Sequence, residues 1–456
     1  MSNGVHSGGG GTCPDERSFL EERLFHMVYE KEEILQYIIE EDVKFIRMTF
    51  CDVTGRLKNV SIMPDELDRA FDYGIAIDAS AVAGFGGEVY SDLVLRPDAS
   101  TLCILPWRPE HGRVVRMFCS VHYPDGRPFE ADTRAILARA VEDARKEGYT
   151  FFFGPEMEFY LFRLDESGVP TKTPYDHAGY MDVAPEDKGE NVRREACLTL
   201  EQMGIRPECS HHEQGPGQNE IDFRYAEPVK AADDAVTFRT VVNTVALRNG
   251  LAADFSPKPL RSEPGNGMHI NLSAPGNGLC ADFSPKPLPD APGSGMHINL
   301  SVKSADGTDV MPQVMAGILA HAYELSVFLN PLESSYRRFG CRKAPRYISW
   351  SSENRSQLIR IPAASGEYRR AELRSPDPSC NPYLAFALLI YAGLDGIRCR
   401  LPLPAPADVN LFTAPESVTS QYRTLPANLD EAKQAARSSE FAAAQLPKRL
   451  LDYYTR

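Results

Sequence analysis

The chain of 456 residues has no run of 18 residues free of charged and polar groups, so no membrane-spanning helix is expected. Met1 to Cys13 is Gly/Ser-rich, with neither a basic n-region nor an apolar h-region, so no secretory signal is expected either. The ten cysteines (13, 51, 103, 119, 197, 209, 280, 341, 380 and 399) contain no C-x-x-C pair. They predict a reduced, cytoplasmic protein without a disulfide framework or zinc ribbon. A Walker A motif is also missing, which argues against a P-loop nucleotide fold. Basic residues are too few for a general nucleic-acid binder: Lys plus Arg total 49 against 63 Asp plus Glu, for a net charge of −14. An acidic excess can still supply metal ligands locally. What remains is ordinary for a globular protein, at 43% hydrophobic and 25% charged residues. The length suggests two or three folding units.

Residues 1–14 read as a flexible tail. Apolar residues from Leu20 to Ile39 recur at helical spacing. Strand patterns come next at Lys44–Phe50, through Val60 and Ile62 after the turn Asp52-Val-Thr-Gly55, and at Val114–His122. These predict a small, mostly β domain over 15–127. From 128 to 456 helices and strands alternate. Helices are expected at 132–147, 190–203, 230–249, 311–329 and 381–398. Strands are expected at 150–164, 219–225, 268–273 or 296–301, 356–362 and 370–374. The pattern is that of an α+β or α/β catalytic domain.

One segment is duplicated. Gly250–Leu260 recurs as Gly278–Leu288, and Pro264–Ser273 recurs as Pro292–Ser301, so the units 250–273 and 278–301 share an offset of 28 residues. Two copies do not make a solenoid. A sheet normally has room for one such unit, so the other is expected to be extruded or added at an edge.

Four constellations carry chemistry. In Gly154-Pro-Glu156-Met-Glu158-Phe, a strand puts Glu156 and Glu158 on one face, where they repel unless solvated or bridged by a cation. In His212-Glu213-Gln-Gly-Pro-Gly-Gln-Asn-Glu220, a hairpin brings Glu213 and Glu220 together; His211 and His212 taken alone read as solvated. Gly265–His269 and Gly293–His297 place a histidine after a glycine turn that allows close backbone approach. The fourth is the basic set Arg338, Arg355, Arg360, Arg369, Arg370 and Arg374, with Glu372 on the strand face of Arg374. Arginines of this kind suit carboxylate and phosphate. Carboxylates select hard divalent cations. Cations and arginines together suit phosphoryl transfer.

With these motifs the chain resembles the glutamine synthetase family, type I, from about residue 20 to 450. The matching stretches are Phe50-Cys-Asp-Val-Thr-Gly, Gly154-Pro-Glu-Met-Glu-Phe, Gly217-Gln-Asn-Glu-Ile, Lys-Pro-Leu followed by Gly-x-Gly-Met-His, Asn354-Arg-Ser, and Arg374-Ser-Pro-Asp-Pro-Ser-Cys-Asn-Pro-Tyr383. The resemblance implies an N-terminal β-grasp-like domain and a larger domain with a curved, largely antiparallel sheet flanked by helices. It further implies a dodecamer with active sites between subunits. By the same resemblance Glu158, Glu213 and Glu220 hold one Mg²⁺ or Mn²⁺, and Glu156, Glu372 and His269 or His297 hold a second. Arg338 and Arg374 bind glutamate, beside Gly265 or Gly293. Arg355 and Arg360 face the phosphates of ATP, with Asn271 and Ser273, or Asn299 and Ser301, near the nucleotide. Asp52 from a neighbouring subunit and Tyr180 form an ammonium pocket. The implied reaction joins glutamate and ammonia through γ-glutamyl phosphate at the expense of ATP.

Three positions depart from the family pattern. Lys343, before Ala344-Pro345, stands where the family has a Glu that helps deprotonate ammonium. Pro264 or Pro292 replaces an Asn, and Glu367 replaces a Lys. A cation at 343 repels ammonium, so a γ-glutamyl ligase for a larger amine and a non-catalytic ring-forming relative are the alternative readings. The second repeat runs unbroken into the next helix, which favours His297 over His269.

Overall fold

The computed structural model describes residues 31–87, 91–108, 111–260, 262–266, 268–270, 298–340, 344–352, 354–362 and 370–456; at 268–270, 298–301 and 303 it describes the backbone alone. The expected tail lies outside the described residues, as does the first part of the expected N-terminal helix, whose remainder is helical over Lys31–Glu40. Two compact units emerge. The first takes the chain up to Thr49, Asn59–Ile75 and Leu95–Cys119; the second takes Phe50–Lys58, Ala76–Val94 and Ser120–Arg456.

The N-terminal sheet has six strands among the described residues: β1 (Val43–Cys51), β2 (Leu57–Ile62), β3 (Ile75–Asp78), β4 (Asp92–Pro97), β5 (Cys103–Ile104) and β6 (Arg113–His122). Their order is β2-β1-β6-β4-β3, with β5 on β6. The central pair, β1 and β6, is parallel. This is the β-grasp-like domain that the sequence implied.

The larger sheet has eleven strands among the described residues: β7 (Tyr149–Phe153), β8 (Pro155–Leu164), β9 (Pro170–Pro174), β10 (Pro207–His212), β11 (Gln218–Phe223), β12 (Leu251–Asp254), β13 (Met268–Ile270), β14 (Ile298–Ser304), β15 (Trp350–Ser352), β16 (Ile359–Ile361) and β17 (Ala371–Leu373). The path is β10-β11-β8-β13-β14-β17-β16-β15, with β9 and β12 on β8 and β7 on β14. Only β13–β14 and β15–β16 are parallel among the described pairs. The α+β architecture expected from the sequence is what the chain adopts.

The helices that flank this sheet end close to where their patterns predict: Thr133–Lys146, Glu190–Gln202, Pro228–Arg248, Met311–Leu329 and Pro382–Arg398. Asp132 caps the first by accepting from the amides of Arg134 and Ala135. Pro382–Arg398 is buried without a break from Pro382 to Leu394, so it carries almost no polar stripe. Its Phe386 stacks on Phe153 of β7, with centroids 4.4 Å apart. Against Met311–Leu329 it packs backbone to backbone through glycine. A Cβ on Gly317 would stand 2.0 Å from the Ala392 carbonyl oxygen, and one on Gly396 would stand 2.0 Å from that of Gln313.

The duplication takes an arrangement that the sequence pattern does not foretell. β13, from the first repeat, and β14, from the second, meet within the sheet where Ile270 stands opposite its own counterpart Ile298, the one register pair described between them. β13 pairs with β8 through Met268–Met157, His269–Glu156 and Ile270–Pro155. β14 pairs with β7 from Leu300–Phe153 to Ser304–Tyr149.

The glycine crossing yields a stability prediction. Gly396→Val is expected to destabilise the protein by about 1–3 kcal/mol through overpacking, visible as a lowered melting temperature. Gly87→Ala, whose added methyl meets nothing within 4 Å among the described residues, leaves melting unchanged.

Candidate active site

The site is built on one face of the larger sheet. In the antiparallel pair β8–β11, Glu158 stands opposite Glu220 and Glu156 opposite Asp222. β10 sets His211 opposite Glu220. On the other side the backbone of His269 is opposite Glu156, and further along Asn299 and Arg360 flank Glu372 from β14 and β16. The two-residue period of strands therefore gathers a band of carboxylates across neighbouring strands.

Ligand atoms of Glu156, Glu220 and Asp222 lie within 4.8 Å of one another, and so do those of His211, Glu213 and Glu220. Glu220 belongs to both groups. The β10–β11 hairpin delivers Glu213. Its turn needs Gly217, whose φ is +68° and whose added Cβ would stand 2.8 Å from the Leu161 carbonyl oxygen. His212, expected to be solvated, is fully buried. Its Nε2 lies 2.8 Å from Asp176 Oδ1 and its Nδ1 2.6 Å from the Glu213 carbonyl oxygen. Asp176 also accepts from the Gly217 amide at 3.0 Å. The third acidic group, Asp176, Asp187 and His212, thus locks the hairpin. Asp187 there is paired with buried Arg193.

Charge is balanced locally. His211 Nε2 lies 3.3 Å from Glu220 Oε2. Burial pulls the His211 imidazole down, but the Glu220 carboxylate, aided by Glu213, outweighs it and holds the pKa at about 10. Gln218 Nε2 donates to Glu158 at 2.8 Å. Arg374 Nη1 donates to Glu372 at 3.0 Å, and Arg360 Nε approaches the other oxygen of Glu372 at 2.9 Å, without hydrogen-bond alignment. Burial, and then the neighbouring Arg355 and Arg374, depress the Arg360 guanidinium to about 8. Burial and Arg355 also press Arg374 well below the arginine range.

Arg338 is 1% exposed. Its Nη2 donates to the carbonyls of Ser375 and Pro376, while its Nε and Nη1 have no hydrogen-bond partner among the described residues. A buried guanidinium with two unused donors calls for an anion. The segment that holds it is fastened through its own polar residues. Asp377 accepts from the Ser379 amide and from Asn330, and Asn381 caps its helix by accepting from the Tyr383 amide. Tyr383 donates to Asp233 at 2.7 Å.

The other sequence candidates take these places. Tyr180 is 46% exposed and sets its ring edge-on to His211, 5.3 Å away. Exposed Arg355 is close enough to act on Arg360 and Arg374. Gly265 backs onto Arg338, and its carbonyl accepts from Gln218 at 3.1 Å. Asp52 is not with the glutamates in the single chain. It is buried at a turn, accepting from the Thr54 and Arg56 amides at 2.9 and 3.1 Å, and lines a different cleft of about 970 Å³ with Lys58, Arg239 and Asp254. Asn299 and Ser301 are placed by backbone alone; Asn271, Ser273, Gly293, His297, Lys343 and Glu367 lie outside the described residues. Asp222 and Gln218 were missed from the sequence, although Asp222 is implied by the period-two alternation after Glu220. No helix among the described residues is long and apolar enough to cross a membrane.

Comparison with known proteins accords with this geometry. Residues 42–124 match the glutamine synthetase beta-Grasp domain. Residues 130–276 and 274–456 match the glutamine synthetase catalytic domain, in two stretches that meet within the duplicated region. Glutamine synthetase of Clostridium saccharobutylicum is 43% identical over 92% of this chain and 91% of its own, and that of Methanosarcina mazei is 42% identical over 93% and 92%. Among solved structures, GmaS in complex with ADP superposes with a TM-score of 0.78 at 25% identity, covering 92% of this chain and 93% of its own. GmaS without ligand gives 0.77 at 26% identity, with the same coverage. Domain matches over most of the chain and relatives above 40% identity place this chain in the glutamine synthetase family of carbon–nitrogen ligases.

Proposed function

We propose that the chain is a glutamate–ammonia ligase that makes L-glutamine from L-glutamate, ammonia and ATP through γ-glutamyl phosphate. The observation that carries the reading is the juxtaposition of two acidic groups sharing Glu220 with a buried arginine, Arg338, which feels the Glu158 charge and has two donors unused among the described residues. The donor set fits hard divalent cations: carboxylate oxygens plus one imidazole, spaced within the span of a shared ion. Glu213 and Glu220, with Glu158 beside them, would hold one Mg²⁺ or Mn²⁺; Glu156, Glu372 and a histidine of the repeats would hold another, with Asp222 close by. Such ions, when bound, offset phosphate charge and polarise the transferred phosphoryl group.

The chain's own groups do the rest. Arg338 and Arg374 bind the glutamate carboxylates and fix the side-chain carboxylate toward the nucleotide. Arg360, largely buried where a cation acts strongly, and exposed Arg355 meet the charge that develops on the transferred phosphoryl group. Tyr180 and an Asp52 supplied by a neighbouring subunit of a dodecamer form the amine pocket. Once an amine displaces phosphate, the amide is complete.

A second reading, a γ-glutamyl ligase for a larger amine, is favoured by one residue. Lys343 puts a cation where the family has a carboxylate, and a cation repels ammonium.

Three outcomes are expected. Phosphate release from ATP requires glutamate and ammonium together, is abolished by EDTA and returns with Mg²⁺ or Mn²⁺; turnover only with a larger amine in a substrate screen selects the second reading. Glu156→Ala lowers kcat by roughly 10²–10³-fold, the scale of losing an electrostatic partner of the transition state. Arg338→Lys raises KM for glutamate about tenfold or more, since a hydrogen bond to a charged group contributes about 1.5–3 kcal/mol.

A further inference from the structure

The strand beside β8 and β7 is continuous in register although its residues come from both repeats. Ile270 stands opposite Pro155. One unbroken strand would next meet Gly154 and Phe153 with the Asn and Leu of Met-His-Ile-Asn-Leu. The residue opposite Phe153 is Leu300, the second repeat's copy of that Leu. The described strand of the first repeat ends at Ile270 and that of the second begins at Ile298, one repeat later and in phase. A one-residue slip would turn every subsequent side chain to the wrong face; an offset of a whole repeat turns none.

Each half has a residue or segment that selects its repeat. In the first half the selector is Asn266, which is fully buried. Its amide donates to the carbonyls of Asp254 at 2.6 Å and Ser256 at 3.1 Å, and its Oδ1 accepts from Gln218 at 3.5 Å. The second repeat has Ser294 at this position. A hydroxyl has one donor and a shorter reach, so it cannot replace an amide that bridges two carbonyls. In the second half the selector is the tripeptide after Asn-Leu-Ser. The first repeat continues with Ala274-Pro275-Gly276; the second continues with Val302-Lys303-Ser304, which pairs with Phe151, Thr150 and Tyr149. Proline lacks a ladder N–H and ends strands.

We propose that this strand is a splice. Its first half, with the histidine position opposite Glu156, belongs to the first repeat as His269, and its second half belongs to the second repeat. One 28-residue unit is therefore surplus to both fold and site. The sequence preference for His297 is reversed by the register. The metal arm of the test rests on the proposed function; the stability arm does not.

Two deletions, each removing 28 residues and leaving one whole unit, decide it. Deleting 271–298 joins Ile270 to Asn299 and retains Asn266 and His269. It is expected to melt at or above the temperature of the full chain, because a shorter connection between the two halves has a smaller closure cost, and to keep the full chain's Mn²⁺-induced rise in melting temperature. Deleting 250–277 puts Ser294 in the seat of Asn266 and is expected to melt lower. Reversed stabilities would assign the first half to the second repeat, and equal stabilities would remove the selecting role of Asn266. Misfolding of both would overturn the surplus unit. A full chain that shows no Mn²⁺ response would count against the proposed function, while the comparison of melting temperatures would still test the splice.

Discussion

Mutual repulsion of carboxylates is the constraint on which the site depends. Glu158 faces Glu220, and Glu156 faces Asp222, at directly opposed positions of one antiparallel pair. Like charges so placed destabilise a sheet. The fold supports them with an imidazole at Glu220, an amide at Glu158 and two guanidiniums at Glu372. These partners moderate the repulsion and leave a concentrated negative field that a divalent cation would relieve. The remaining apparatus of the larger unit keeps this band in place: the locked hairpin, the helix packed on Phe153, and the fastened segment after Arg374.

That segment shows why a polar sequence motif can be mainly architectural. Of Arg374–Tyr383, only Arg374 points to chemistry by its residue type. Ser375 and Pro376 contribute backbone carbonyls to Arg338. Asp377 and Asn381 satisfy amides that would otherwise be buried without partners. Tyr383 ties the helix to Asp233, which also pairs with Arg134. The motif fixes the orientation of the Arg338 guanidinium through its backbone carbonyls.

Much of this was legible in the sequence. The long helices and β8 were visible because their apolar periodicity is strong, and Glu156 with Glu158, and Glu213 with Glu220, were paired by strand period and a Gly-Pro-Gly turn. β10 was not visible: Glu-Cys-Ser-His-His has no apolar alternation, because that strand is polar and partly exposed along most of its length. The burial of His212 was equally hidden, since its partner Asp176 is 36 residues away. The placement of the repeats could not be read from their near-identity. It turns on single differences such as Asn266 against Ser294, whose weight depends on which carbonyls lie within reach.

Glu220 belongs to both candidate ligand groups, and this has a thermodynamic consequence. Two ions seated on either side of one carboxylate would not fill independently. The first ion to arrive would consume part of the charge that attracts the second, so loading would be sequential and anticooperative. By linkage the penalty is the same in either order. Whichever ion binds more weakly would then act as the exchangeable one, sensing the cell's divalent supply while its neighbour stays resident.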